Sequence, residues 1–438
     1  MTKYKYIHLA NIVDEFGQRE VNILIKDDRI IKISESELSD FPFDTEIIEA
    51  KGLLLLPGII DIHVHFREPG LEYKADMLSE SRAAVAGGVT TVFEMPNTNP
   101  PTITEDALQL KIGLAKEKML CNYKFYFGIT NKNLDQAIKI PNEDICGFKV
   151  FLGSSTGNIL VDSQATIEDL FQRSPYVITA HCEDEQRVKA NNQKYKGIYP
   201  NNEAPPSIHP LVRDAEACYL STKFAIELAK DKTKLNIAHI STEKELSLLK
   251  TGKIGTKNIT AEVSPMHLWF SQDDFEALGN KIKCNPAIKS IQDRQALRKA
   301  LREDKIDIIA TDHAPHLIEE KEKPYFDAPS GIPSIQHSLQ IVLELVNQGE
   351  LSLNQVQEKM SYNPAKLFNL KDRGEIKEGY FADIVLVDLN KKETVTKDNL
   401  FYKCKWSPLE GITLNSKIFL TMVNGNIKYK EGKIVVGM

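Results

Sequence analysis

Between Ile59 and His313 the chain repeats one rhythm eight times, a short run rich in apolar and β-branched residues followed by a helix-like or connecting stretch. The runs occupy 59–65, 89–97, 122–129, 145–152, 176–182, 234–240, 258–265 and 307–313. Helical patterns fill 75–86, 105–119, 215–230 and 293–304. A parallel strand pair needs a crossover of about a dozen residues or more, and a helix supplies it. Eight such units predict an α/β fold, a (β/α)8 TIM barrel. In that architecture the reactive groups belong at the C-terminal ends of the strands. Those ends carry His63 and His65, Asn97, Lys149, His181, His239 and Asp312.

Both chain ends break the rhythm. Residues 1–52 alternate in short apolar runs divided by turn signals such as Lys26-Asp27-Asp28. After a helical stretch at 354–370, strand patterns return at 379–390 and 418–436, with Asn424-Gly425 as a hairpin turn. The expected organisation is a composite β-sandwich domain from 1–55 and 371–438 beside a catalytic barrel spanning 56–370.

The chemistry starts at DIHVH. In an extended strand, residues two apart point to one face, so His63 and His65 converge while Val64 packs behind them. Two imidazoles on one face form half of a divalent-metal site, although a polar strand end alone could show the same pair. Arg67 follows where the strand must enter a loop, and a guanidinium beside a metal suits a ligand bearing a carboxylate.

Other features narrow the class. The formal net charge of −6 gives no electrostatic case for nucleic acid. No apolar run reaches membrane-spanning length, since LLLLPGII is cut by Pro57 and Gly58. The N-terminus lacks a signal-peptide core. Six scattered cysteines with no CxxC pair suit reduced thiols in a cytoplasm. The expected partner is a small-molecule substrate, with a homodimer as the assembly to look for.

Taken together, DIHVHFREPG (61–70), GGVTTVFEMPNTNPP (87–101), GFKVFLG (147–153), TAHCED (179–184), IAHIST (237–242), KCNPAI (283–288), ATDHAPH (310–316) and APSGIP (328–333) resemble the amidohydrolase superfamily, and within it the lysine-bridged dihydroorotases. The resemblance covers nearly the whole chain. It implies two zinc ions: His63, His65 and Asp312 on one, His181 and His239 on the other. Lys149, carboxylated to a carbamate, and a hydroxide would bridge the two. Asp312 would also shuttle the proton. Arg67, Asn97 and His316 would clamp the substrate carboxylate, and Asn285 would meet the pyrimidine edge. The implied activity is reversible interconversion of L-dihydroorotate and N-carbamoyl-L-aspartate in pyrimidine synthesis.

Alternatives are an allantoinase- or hydantoinase-like cyclic amidohydrolase and a non-catalytic scaffold paralogue, against which the intact ligand set speaks. Met266, Ala287 and Lys289 depart from the common dihydroorotase pattern and bear on fine substrate contacts. The small residues 153–158 suit either a lid or a plain loop. His8 reads as structural, His209, His267 and His337 as surface or structural residues, and His313 should point away from Asp312.

Overall fold

The computed structural model describes residues 3–435 apart from 15–16, 142, 154–158 and 231. Eight parallel strands pair in sequence order: β1 (Ile59–Val64), β2 (Val89–Glu94), β3 (Asn122–Gly128), β4 (Ile145–Phe151), β5 (Ile178–His181), β6 (Leu235–Ile237), β7 (Ile259–Val263) and β8 (Ile308–Ile309). A bridge between Val64 and His313 brings the last strand back to the first, with the His65 amide donating to the His313 carbonyl at 2.7 Å. Every residue of β1 and β2 is buried, as expected of strands covered on both faces.

The strands are shorter than the sequence runs. His65, Asn97, His239 and Asp312 all lie just past their strand ends. Two of them explain why: His239 (φ 36°) and Asp312 (φ 49°) are left-handed, and such a backbone cannot continue a ladder. Arg67 (φ 71°) shares this conformation. Backbone strain of this kind, about 1–3 kcal/mol per residue, collects at functional sites.

Helices start where short polar side chains cap them. Asp184 accepts from the Arg187 amide three residues after His181, and Thr242 from the Glu245 amide three residues after His239. Each cap therefore ends the loop that carries a candidate ligand. The helical stretch expected at 354–370 is instead two short helices, Leu353–Gln357 and Asn363–Leu367, joined by a wide π turn at Glu358–Tyr362. Pro364 has no N–H to continue a regular ladder there.

The two chain ends share one nine-stranded sheet. Its seam is Leu54–Pro57 against Ile384–Asp388, antiparallel, with Ile384 opposite Pro57. The hairpin at Asn424-Gly425 forms as expected between Lys417–Val423 and Asn426–Lys430, with φ of 47° and 71° at the two turn residues. Ile7, Val21, Ile23, Leu55, Ile384 and Leu420 belong to a core of its own, separate from the barrel's. Leu54 leads directly into β1, so the seam also anchors the strand that delivers His63 and His65.

Candidate metal centre

A small cleft at the C-terminal mouth of the barrel is lined by His63, His65, Arg67, Lys149, His181, His239, Asn285 and Asp312, with Phe151, Ala314, Ser330 and Gly331. Eight of the ten residues singled out by sequence thus share one wall. Asn97 and His316 stand one layer behind it, against His65 and Arg67 respectively.

His63, His65 and Asp312 form the tightest group: one donor atom from each lies within 4.8 Å of the others. Nε2 of His63 is 3.3 Å and Nε2 of His65 is 3.2 Å from the same oxygen, Oδ1 of Asp312. The strand alternation is realised here, since Val64 is fully buried on the other face. Across the cleft, Nδ1 of His181 faces Nε2 of His239 at 3.0 Å. The His63 and His239 rings, 5.2 Å apart, join the two groups.

Each outward ring nitrogen of three of these histidines is held. His63 Nδ1 donates to Glu262, which also accepts from Asn236 Nδ2 at 2.9 Å. His65 Nδ1 donates to Asn97 Oδ1 at 2.7 Å. His181 Nε2 donates to Glu183 Oε2 at 3.0 Å, and Glu183 is paired with Arg213. Such partners fix the tautomer and turn the remaining lone pair inward. Burial, the largest influence, holds His65 down to about 4 and lowers His181 and His239 as well. The neutral imidazole is the form that ligates a cation.

Asp312 is pulled the other way. Burial pushes its carboxyl up, but His63, His65 and Lys149 together outweigh that and hold it well below the usual carboxylate range. Lys149 is completely buried, and its Nζ has no hydrogen-bond partner among the described residues. Burial pushes its amine down to about 8, with Glu262 and Asp312 opposing. An unpartnered buried amine is costly and calls for a further group at Nζ. Lone pairs aimed at one point, a bare carboxylate and this amine are together a donor set that fits divalent cations.

Several residues of the site were not singled out by sequence. Asp61 accepts from the amides of His63 and Thr311, tying β1 to the end of β8. It sits at the same two-residue spacing as the histidines, a signal open to reading. Glu262 and Asn236 are charged or polar residues inside buried strands, which is likewise a usable signal. Of the departures from the common pattern, Ala287 and Lys289 do not line the cleft. The Lys289 ammonium donates to Ser241 Oγ and the Ala287 carbonyl, each at 3.0 Å. His209, His267 and His337 are buried and structural rather than surface residues. His313 turns from the cleft, as expected, to meet Glu80 at 2.8 Å. The lid expected at 153–158 lies, beyond Gly153, outside the described residues.

The amidohydrolase family profile matches residues 54–428. A dihydroorotase of Methanothermobacter thermautotrophicus is 33% identical over 95% of this chain and 93% of its own. One of Pyrococcus furiosus is 34% identical over 94% of this chain and 89% of its own. Among solved structures, the L-hydantoinase (dihydropyrimidinase) of Arthrobacter aurescens superposes with a TM-score of 0.93 at 28% identity, covering 100% of this chain and 98% of that one. No helix among the described residues is long and apolar enough to cross a membrane.

Proposed function

The chain belongs to the amidohydrolase family, and from that premise we propose that it is a dihydroorotase, a cyclic amide hydrolase that interconverts L-dihydroorotate and N-carbamoyl-L-aspartate. The observation that carries this reading is Arg67, a guanidinium 4% exposed in the wall of the cleft that holds His63, His65 and Asp312. Both substrate forms bring a carboxylate that a neutral cyclic ureide lacks, and a buried guanidinium answers that charge. The names of the curated relatives support the same activity.

His63, His65 and Asp312 would hold one zinc ion, and His181 and His239 a second. Lys149 would lie between them as a carbamate: its neutral amine adds to carbon dioxide and loses a proton, leaving an anion. Such a pair of dications, when bound, supplies hydroxide at neutral pH and polarises a carbonyl. The chain's own residues do the rest. Asp312, kept as a carboxylate, accepts a proton while the attacking oxygen adds to the ring amide carbon. It then returns that proton to the ring nitrogen as the C–N bond breaks. Arg67 takes the substrate carboxylate, with Asn97 and His316 behind it. Asn285, whose Oδ1 lacks a partner, meets the pyrimidine edge. The division into a catalytic unit at 56–370 and a β unit from 1–55 and 371–438 belongs to this proposal, as do a cytoplasmic location and a homodimer.

A second reading, hydrolysis of hydantoins, is favoured by the close superposition on the Arthrobacter aurescens enzyme. Hydrolysis of L-dihydroorotate, hydantoin and allantoin on protein of known metal content separates the two. Dihydroorotate should be turned over fastest; hydantoin or allantoin turnover with none of dihydroorotate would overturn the proposal.

A further inference from the structure

Behind Arg67 lies a polar cluster that the reaction itself does not use. His316 is buried, and both its ring nitrogens are within hydrogen-bond distance of cations. Lys74 Nζ is 3.0 Å from Nδ1, and Arg67 Nη2 is 3.1 Å from Nε2. The Ser330 carbonyl also lies 3.0 Å from Nε2. Lys74 in turn pairs with Glu320 Oε1 at 2.9 Å, and Glu320 Oε2 accepts from the Leu317 amide at 3.0 Å.

Of the two neutral tautomers, the one protonated on Nε2 satisfies two of these three contacts, those with Lys74 and Ser330. The Lys74 ammonium has hydrogens but no acceptor lone pair, and in this form the bare Nδ1 of His316 accepts from it. The ring proton then sits on Nε2 and donates to the Ser330 carbonyl. An N–H cannot accept from a guanidinium, so His316 leaves Arg67 Nη2 unbound although the two nitrogens touch. Among the described residues Arg67 is then anchored through Nε, which donates to the Pro315 carbonyl at 3.0 Å. The Nη2 hydrogens are thereby left beside a ring nitrogen that already donates to Ser330. A free guanidinium N–H of this kind can donate to a carboxylate oxygen.

We infer that Lys74 is a positioning residue: it locks His316 as the Nε2–H tautomer and so keeps the terminal guanidinium of Arg67 free for an anionic substrate. In the opposite tautomer Nε2 would accept from Arg67 and occupy the Nη2 hydrogen. The inference rests on the carboxylate-binding role proposed above for Arg67. Every charged neighbour of the ring acts in the same scheme. Burial, Arg67, Lys321 and Lys74 keep His316 neutral, and Glu320 alone opposes them. Gly331 (φ 146°) holds the ring from the cleft side, where a Cβ would meet Nε2 and Cδ2 of His316 at 2.9 and 2.8 Å.

Lys74→Met leaves Glu320, 3.7 Å from Nδ1, as the nearest partner of that nitrogen. Nδ1 should then carry the proton of a ring that burial, Arg67 and Lys321 still keep neutral, and Nε2 should accept from Arg67. With Nη2 so occupied, KM for dihydroorotate should rise at every pH.

The test has two arms on the metal-loaded full chain. Nitrogen NMR of ring-labelled histidine, with His316 assigned by its loss in His316→Asn, should show Nδ1 bare and Nε2 protonated from pH 6 to 9. Nδ1 protonated in the parent protein overturns the inference, whatever the substrate. In Lys74→Met the ring proton should move to Nδ1, kcat should stay within about threefold of the parent's and KM should rise about tenfold at every pH from 6 to 9. An unchanged KM, or a variant ring that keeps its proton on Nε2, also overturns it. If the parent protein fails to turn over dihydroorotate, the proposed function falls, and the NMR arm still decides the tautomer.

Discussion

Nδ1 of His65 donates to Oδ1 of Asn97 across 2.7 Å, and this contact aims Nε2 of the same ring at Asp312, 3.2 Å away. Asn97 therefore acts on the metal centre from behind, whatever else it touches. Loss of an outer partner of this kind costs about 10–100-fold in metal affinity or activity. Asn97→Ala should weaken zinc retention by about that factor, read by competition with a chelator. An unchanged zinc affinity with a raised KM would instead assign Asn97 to the substrate alone.

Metal removal is the broadest check. The purified chain should carry close to two zinc ions, as a bridged two-metal site requires. Dialysis against a chelator should abolish hydrolysis, and added zinc should restore it. Elemental analysis and rate on the same samples decide; full activity without metal refutes the centre.

Lys149→Ala removes the amine that has no partner in the cleft. Metal content and nearly all activity should fall together. A short carboxylic acid in solution should return part of both by filling the gap between the ions. Wild-type metal content and rate in the variant would exclude the carbamate.

Arg67→Met should keep its metal, since Arg67 is not a ligand. Its kcat/KM for dihydroorotate should drop by the equivalent of about 2–5 kcal/mol, the usual cost of truncating one partner of a buried charge pair. Arg67→Lys should rescue poorly, because an ammonium lacks the planar fork. Steady-state kinetics beside metal analysis checks this, and parent-like turnover by Arg67→Met would favour a hydantoinase-like activity.

Lys111 and Glu94 form a wholly buried ion pair at 3.4 Å beneath the loop that carries Asn97. Burial alone pushes Glu94 up and Lys111 down, so each depends on the other. Lys111→Ala should cost about 3–5 kcal/mol of stability in urea unfolding, because it strands a buried carboxylate. Adding Glu94→Gln should recover much of that loss. Additive destabilisation would show that the pair does not interact.

What the sequence determined by itself is what periodicity and residue chemistry encode locally. Eight apolar runs at crossover spacing specify parallel strands covered by helices, and Asn424-Gly425 specifies its hairpin. The two-residue spacing of His63 and His65 puts both on one strand face because successive side chains alternate. Which residues meet across the barrel is not local. Glu262 lies 199 residues from His63 and Asp312 lies 247 from His65, and only ring closure brings them together. Tertiary structure also decided where the strands stop, since the left-handed backbones of His239 and Asp312 depend on the loops packed around them. It decided the proton on His316 as well, because a tautomer is set by the groups facing its two nitrogens, and Lys74 and Ser330 reach them from separate loops.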